Sequence, residues 1–136
     1  MKSGRAKTAH TPTPAEARLL KALWSLGEAT VEQVVNYFPL ADRPNYKTTH
    51  SFLRIMESKG FVEHSVVGKA FLFRPSVTER EVTSASVDTL LRQSFDGSVS
   101  GLMVNLIEAG RLKPADLHQL DELLRSYRRN QLGEPE

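Results

Sequence analysis

The stretch NYKTTHSFLRIMESKG, residues 45–60, decides the fold because it contains the beginning, the apolar stripe and the end of one helix. Asn45 is the predicted N-cap, and Lys59 with Gly60 supplies a C-terminal charge and a left-handed stop. A buried stripe is predicted at the spacing i, i+3, i+4 and i+7, formed by Thr49, Phe52, Leu53 and Met56. The opposite face is polar and comprises Lys47, Thr48, Ser51, Arg54 and Ser58, with His50 near the border.

A β-hairpin is predicted directly after this helix. The segments FVEHSV, residues 61–66, and AFLFRP, residues 70–75, alternate in polarity as paired strands do. Val67, Gly68 and Lys69 separate them, so a glycine and a lysine lie at the predicted tip.

Two further helices are predicted before residue 45. Thr13 and Glu16 frame a capping box for a helix that ends near Leu26, and Thr30 and Gln33 frame a second box. The second helix ends before a loop, residues 39–44, in which two prolines leave no room for regular structure. Three short helices followed by a hairpin predict a winged helix-turn-helix, a mainly α fold with a small β-hairpin wing.

The polar face of residues 45–60 suits the major groove of DNA, because side chains of this length bond to base edges and phosphates. The predicted contacts to bases or nearby phosphates are Lys47, Thr48, His50 and Ser51. The predicted backbone clamps are Arg54, Lys69 and Arg43. Two alternatives stay open: the face is simply solvated, or His50 packs against the wing instead.

Charge is divided unequally along the chain. Residues 1–77 hold eleven Lys and Arg against six Asp and Glu, net +5, whereas residues 78–136 hold seven against ten, net −3. The basic first half is therefore expected to meet a polyanion.

The composition also excludes several classes of protein. Without cysteine the chain has no disulfide and no thiolate metal site, and a reducing cytoplasm is the expected compartment. No run of 18 apolar residues exists and the basic start lacks the apolar core of a secretory signal, so no direct membrane binding is expected. The four histidines have no ligand spacing, and no nucleophile arrangement or phosphate loop is present. We expect no enzyme, no metal and no cofactor.

The second half is predicted to be a helical dimerisation domain. Thr78 with Glu81, Ser98 and Pro114 mark the starts of three amphipathic helices. About 59 residues is near the lower limit for an independent core, so pairing with a second copy is expected, with packing on the first domain as the alternative. The expected domains are a flexible basic tail at residues 1–12, the winged helix at 13–77, the helical domain at 78–131 and a flexible tail at 132–136. The expected dimer contacts are Leu90, Leu91, Phe95, Leu102, Met103, Leu106, Leu120, Leu123 and Leu124.

Two segments carry a family resemblance. TPAEARLLKALWSLGEATVEQVV, residues 13–35, and YKTTHSFLRIMESKGFVEHSVVGKAFLFRP, residues 46–75, resemble the DNA-binding domain of the penicillinase-repressor family, and the likeness spans about residues 12–127. The resemblance implies a homodimeric repressor whose recognition helices enter successive major grooves of a palindromic operator. It also implies that the second half is the dimerisation domain.

The segment LMVNLI, residues 102–107, invites a further expectation. Asn105 and Leu106 fall where the resemblance places the Asn-Phe bond that is cut in antibiotic-responsive relatives by, or through, a membrane-bound sensor metalloprotease. In this chain the second residue is Leu, and the alternative is that Leu106 is a core residue of the dimer and Asn105 a surface residue. The cysteine-rich metal site of copper-responsive relatives is excluded, since the chain has no cysteine.

Taken together, the sequence predicts a repressor that occludes a promoter. The alternatives are a winged-helix module that docks on another protein and a DNA-binding activator.

Overall fold

The computed structural model describes residues 11–132, and the predicted winged-helix fold is confirmed there. In chain order the elements are α1 (Pro14–Leu26), α2 (Val31–Tyr37), α3 (Tyr46–Lys59), β1 (Val62–Val67), β2 (Ala70–Pro75), α4 (Glu79–Phe95), α5 (Val99–Glu108) and α6 (Pro114–Leu132).

Local capping fixes where the helices begin. The Thr13 hydroxyl accepts a hydrogen bond from Glu16 N at 3.2 Å, and a Glu16 carboxylate oxygen accepts one from Thr13 N at 2.9 Å. The same reciprocal bonds start α2 at Thr30 and Gln33. At α3 the Asn45 side chain accepts from the third residue of the helix. These helix starts are therefore confirmed.

The hairpin has a tighter turn than the sequence predicted. Val67 pairs with Ala70, so only Gly68 and Lys69 form the turn, and the predicted three-residue tip is wrong. Gly68 has φ +64°, whereas Lys69 is not among the residues with positive φ. A two-residue turn with glycine at its first position matches the right-handed twist of the strands, which explains the shorter connection.

A short bridge extends the hairpin toward α2. Ala29 N donates to Phe73 O at 2.9 Å, and Phe73 N donates to Ala29 O at 2.8 Å. Below this bridge lies the hydrophobic core, which unites α1, α2, α3 and the hairpin. Its members are Leu19, Leu20, Ala22, Leu23, Ala29, Val31, Val34, Phe38, Leu53, Met56, Phe61, Val62, Phe73 and Val77.

The loop between α2 and α3 contains one regular turn. Leu40–Asp42 forms a single turn of 3-10 helix, so the prediction of no regular structure in this loop is wrong. Pro39 provides the extended start, and Arg43 N then closes the turn by donating to Leu40 O at 3.4 Å.

The chain divides into two compact units between Thr89 and Leu90. The domain boundary expected between residues 77 and 78 stays a prediction. The first turns of α4 belong to the first unit because Val82 packs against its core. Trp24 Nε1 also donates to Val77 O at 2.9 Å. Of the two expected tails, residues 1–10 and 133–136 lie outside the described residues.

The second unit contains the end of α4, together with α5 and α6. Ser98 caps α5 by accepting from Gly101 N at 2.8 Å, as predicted. In contrast to the first unit, none of the described residues of α4, α5 or α6 is buried. The apolar side chains of these helices therefore remain at least partly exposed in a single chain.

Candidate nucleic-acid interface

Helix α3 presents its polar face to solvent. Thr49, Leu53 and Met56 are buried and fix the orientation of the helix against the core. At about 100° per residue, the centre of the opposite face is formed by Lys47, Ser51 and Arg54. All four polar residues at positions 47, 48, 51 and 54 are exposed. The face that the sequence assigned to DNA is thus accessible.

A groove of about 320 Å³ lies between α3, the start of α2 and the hairpin. Lys69 lines it from the hairpin turn, and His50 lines it from α3. The full lining is Thr30, Val31, Glu32, Tyr46, His50, Lys69, Ala70 and Phe71. The winged-helix fold therefore brings the lysine of the wing close to the recognition helix, although the two are far apart in sequence.

His50 lies next to the wing. Its ring centroid is 6.3 Å from that of Phe71, with the two planes tilted by 40°. The ring is partly buried, which matches the alternative that His50 packs against the wing. Its predicted contact with a base stays a prediction.

Arg54 is half exposed, and two neighbours orient it. Its Nε lies 3.7 Å from Glu57 Oε1, and its guanidinium carbon lies 5.5 Å from the centroid of the Phe71 ring. The side chain itself is 52% exposed and is therefore accessible to a ligand. This geometry leaves donors for a phosphate.

Arg43 has an internal role that the sequence did not indicate. Its Nε and Nη2 donate to Phe38 O at 3.0 and 2.8 Å, and Nη2 also approaches Asn36 O at 3.4 Å. These carbonyls lie at the end of α2, where helices leave acceptors unpaired. Arg43 thus closes the loop between α2 and α3, and its predicted contact with DNA stays a prediction.

Two exposed residues of α3 were missed in the sequence. Tyr46 is 54% exposed and lines the groove one turn before His50, and Ile55 is 47% exposed one turn after Ser51. The sequence interpretation gave neither residue a role. The signal for Ile55 was its angle around the helix, because this position does not fall on the buried stripe of Thr49, Leu53 and Met56. Tyr46 precedes Thr49 by three residues and does fall along that stripe, so the spacing gave no sign of its exposure.

An ion pair anchors the C-terminal end of α3. Lys59 Nζ lies 2.8 Å from Glu16 Oε2 in α1, and the Glu16 side chain is buried. Burial alone would raise the pKa of Glu16, but the hydrogen bonds from Lys59 and from Thr13 N, with the charge of Lys59, outweigh it and lower the pKa. The carboxylate therefore stays ionised and ties α3 to α1.

Within residues 11–132, no group of three or more His, Asp or Glu residues is placed to hold a metal ion. No helix in the described part of the chain is both long and apolar enough to cross a membrane.

A family model described as "Penicillinase repressor" matches residues 12–126. The chain belongs to the penicillinase repressor family. Members of this family are transcriptional repressors, and the winged helix found here is consistent with that role.

The comparisons with individual members and structures are more distant. The penicillinase repressor of Bacillus licheniformis is 19% identical over 114 residues, which cover 84% of this chain and 89% of that protein. A solved structure titled for the regulation of DNA binding of Bordetella bronchiseptica BpsR by 6-hydroxynicotinic acid is 17% identical, with a TM-score of 0.45. The match covers 86% of this chain and 76% of that one.

Proposed function

We propose that this penicillinase repressor family member binds a palindromic DNA operator as a homodimer and represses transcription by excluding RNA polymerase. The observation that carries the proposal is the exposed polar face of α3 beside the lysine of the wing. Helix α3 would enter the major groove, and the hairpin would contact the adjacent backbone.

The cations of this surface are available to phosphates. Lys47 and Lys69 are exposed, and neither forms an ion pair with another residue of the described range 11–132. Binding them to phosphates would release counterions, which favours association at low salt. Thr48 and Ser51 add hydroxyls that donate to and accept from base edges.

The second unit supports a homodimer. Leu123 is 64% exposed and Tyr127 is 62% exposed in α6, and Ile107 is 60% exposed in α5. A small helical unit with so much accessible apolar surface gains stability by covering it. A second copy of the chain is the simplest cover, because most soluble homo-oligomers are two-fold dimers.

The predicted dimer residues differ in their surroundings. Met103, Leu106, Leu120 and Leu123 line an apolar groove of about 360 Å³ between α5 and α6. Leu91, Phe95 and Leu102 are partly buried, whereas Leu90 and Leu124 are exposed. Large exposed apolar residues of α5 and α6 beyond the predicted dimer contacts are Val99, Val104, Ile107, Leu117, Tyr127 and Leu132.

Release by proteolysis is a further part of the proposal. Asn105 is exposed and Leu106 is partly buried in α5. Ala109 N donates to Asn105 O at 2.9 Å, so the bond lies in intact helix. A membrane sensor metalloprotease would need α5 to unwind locally, and cleavage would then break the apolar groove. Incubation with a sensor protease followed by sequencing of the products tests this step, and an intact bond in induced cells counts against it.

An electrophoretic shift separates DNA binding from the alternative of a protein-docking module. The protein's own promoter region is the DNA, at about 50 mM salt, where nonspecific electrostatic binding is strong. We expect a shift that survives excess random duplex. The absence of any shift would favour the docking module. The sign of regulation is tested separately by transcription in vitro with and without the protein.

A further inference from the structure

Four side chains join α3 to the wing behind the proposed DNA face. Glu57 Oε2 lies 2.7 Å from His64 Nδ1, and Glu57 Oε1 lies 3.7 Å from Arg54 Nε. The His64 ring stacks on Phe71, with 4.2 Å between centroids and 13° between planes. We call Arg54, Glu57, His64 and Phe71 the Glu57 cluster.

The chemistry of Glu57 and His64 determines which of the two donates their hydrogen bond. An ionised carboxylate can only accept, so His64 Nδ1 donates to Glu57. Both side chains are partly buried, at 27% and 22% exposure, and solvent therefore screens the bond less than a surface pair. Charge-assisted bonds of this length are stronger than bonds between neutral groups.

Arg54 differs from the other cations of the proposed interface because it already contacts neighbouring side chains in the absence of DNA. Within residues 11–132, Lys47 and Lys69 form no ion pair, whereas Arg54 contacts Glu57 and lies over the Phe71 ring. A side chain that is ordered before binding loses less conformational entropy when it meets its ligand. The carboxylate of Glu57 would itself repel a phosphate, so its role is expected to be indirect.

We propose that Glu57 and His64 are positioning residues, which dock the wing on α3 and orient Arg54 toward a phosphate of DNA. This inference rests on the proposed function. It adds that two residues without DNA contacts of their own determine how well the wing and Arg54 engage the operator together.

The principal test is His64→Phe in the full-length protein. The new ring can still stack on Phe71, and every Lys and Arg is retained, but the bond to Glu57 is lost. We expect the affinity for a duplex selected from random DNA and the affinity for random duplex to fall alike, by about fivefold, the range of one net hydrogen bond. We also expect the slope of log K against log salt to fall by about one, because one phosphate contact is no longer made.

The matched control is Ser65→Ala. Ser65 is the next residue of β1 and therefore points to the opposite face of the hairpin, where it meets Arg74 Nη1 at 3.4 Å. We expect the control to retain the affinity and the salt slope of the original protein. A double mutant tests whether His64 acts through Arg54. In a protein that already contains Arg54→Ala, we expect His64→Phe to lower the DNA affinity by less than it does in the original protein, because the two residues act through one contact.

A second pair of variants covers the case in which His64→Phe does not fold. Glu57→Gln and Glu57→Met both remove the charge, but only Gln retains an oxygen that can accept from His64 Nδ1. Because the two variants have the same charge, we expect Met to bind the selected duplex about fivefold more weakly than Gln, as for one hydrogen bond. Equal affinity in the two variants, or an unchanged affinity and slope in folded His64→Phe, would overturn the inference. If the original protein shows no preference for any duplex, the proposed function itself fails, and the inference fails with it.

Discussion

Lys59 Nζ lies 2.8 Å from Glu16 Oε2, so an ion pair joins the last residue of α3 to the first turn of α1. Glu16 is only 5% exposed and also completes the capping box with Thr13. One carboxylate therefore both starts α1 and fixes the end of α3. The orientation of the proposed DNA face depends on this contact as well as on the apolar stripe below it.

Replacing the lysine of this pair should destabilise the first unit. Lys59→Met leaves the Glu16 carboxylate buried without its cation, and we expect the free energy of unfolding to fall by about 2 kcal/mol. Urea denaturation followed by circular dichroism measures the change. The control is Lys21→Met, which removes only an exposed pair with Glu79 and should change stability by less than about 0.5 kcal/mol. Equal effects of the two substitutions would contradict the assigned role of Lys59.

The same carboxylate predicts a dependence of stability on pH. The pKa of Glu16 in the folded protein is lower than its ordinary value of 4.5, so the contribution of this group is fully present above pH 4.5. It is lost as the pH falls through the lower, folded pKa, because the unfolded chain takes up the proton first. We expect Glu16→Gln to reduce the loss of stability between neutral pH and this acid range. Urea midpoints measured from pH 7 to pH 3 test it, and parallel curves for the two proteins would count against it.

The features of the fold that the sequence could predict are local ones. The capping box at Thr13 and Glu16 is specified within four residues, and the amphipathic spacing of residues 45–60 fixes which face of α3 is buried. Neither depends on distant parts of the chain. The order of helices and hairpin then indicated the winged helix, which the structure confirms.

The features that were missed depend on contacts between elements. Arg43 donates to Phe38 O and His64 to Glu57, but no spacing rule brings these pairs together. The hairpin turn is shorter than predicted because strand twist, not residue type alone, selects its length. The first compact unit extends into α4 because Val82 packs on its core, a contact that helical spacing alone does not indicate.

Two substitutions at the proposed interface should have different consequences. Thr48→Ala should relax specificity at one position of the operator and cost about 1 to 3 kcal/mol there, as a lost base contact does. Lys69→Ala should weaken binding to specific and random DNA alike and lower the salt slope by about one. Fluorescence anisotropy on both duplexes over a range of salt measures the difference. Equal losses on specific and random DNA in both variants would refute this division of roles.

The second unit should depend on its exposed leucines for assembly. Leu123→Glu places a charge on an apolar surface of α6, and we expect sedimentation analysis to show a shift from dimer to monomer at micromolar concentration. The neighbouring Glu122→Gln is the control, because that side chain is already exposed and polar. Two results would argue against α6 as the dimer interface. One is that the unsubstituted protein is a monomer, and the other is that the dimer persists with Leu123→Glu and with other charges introduced on α6.

The central claim is that α3 and the wing of a dimer recognise one DNA sequence. The most direct measurement is the binding of the full-length protein to duplexes selected from random DNA, with affinity and stoichiometry determined at a fixed salt concentration. We expect two chains per duplex, inverted half-sites about one helical turn apart, and binding at least about 10³-fold tighter than to random duplex. Equal affinity for selected and random DNA, or no binding at about 50 mM salt, would contradict the account.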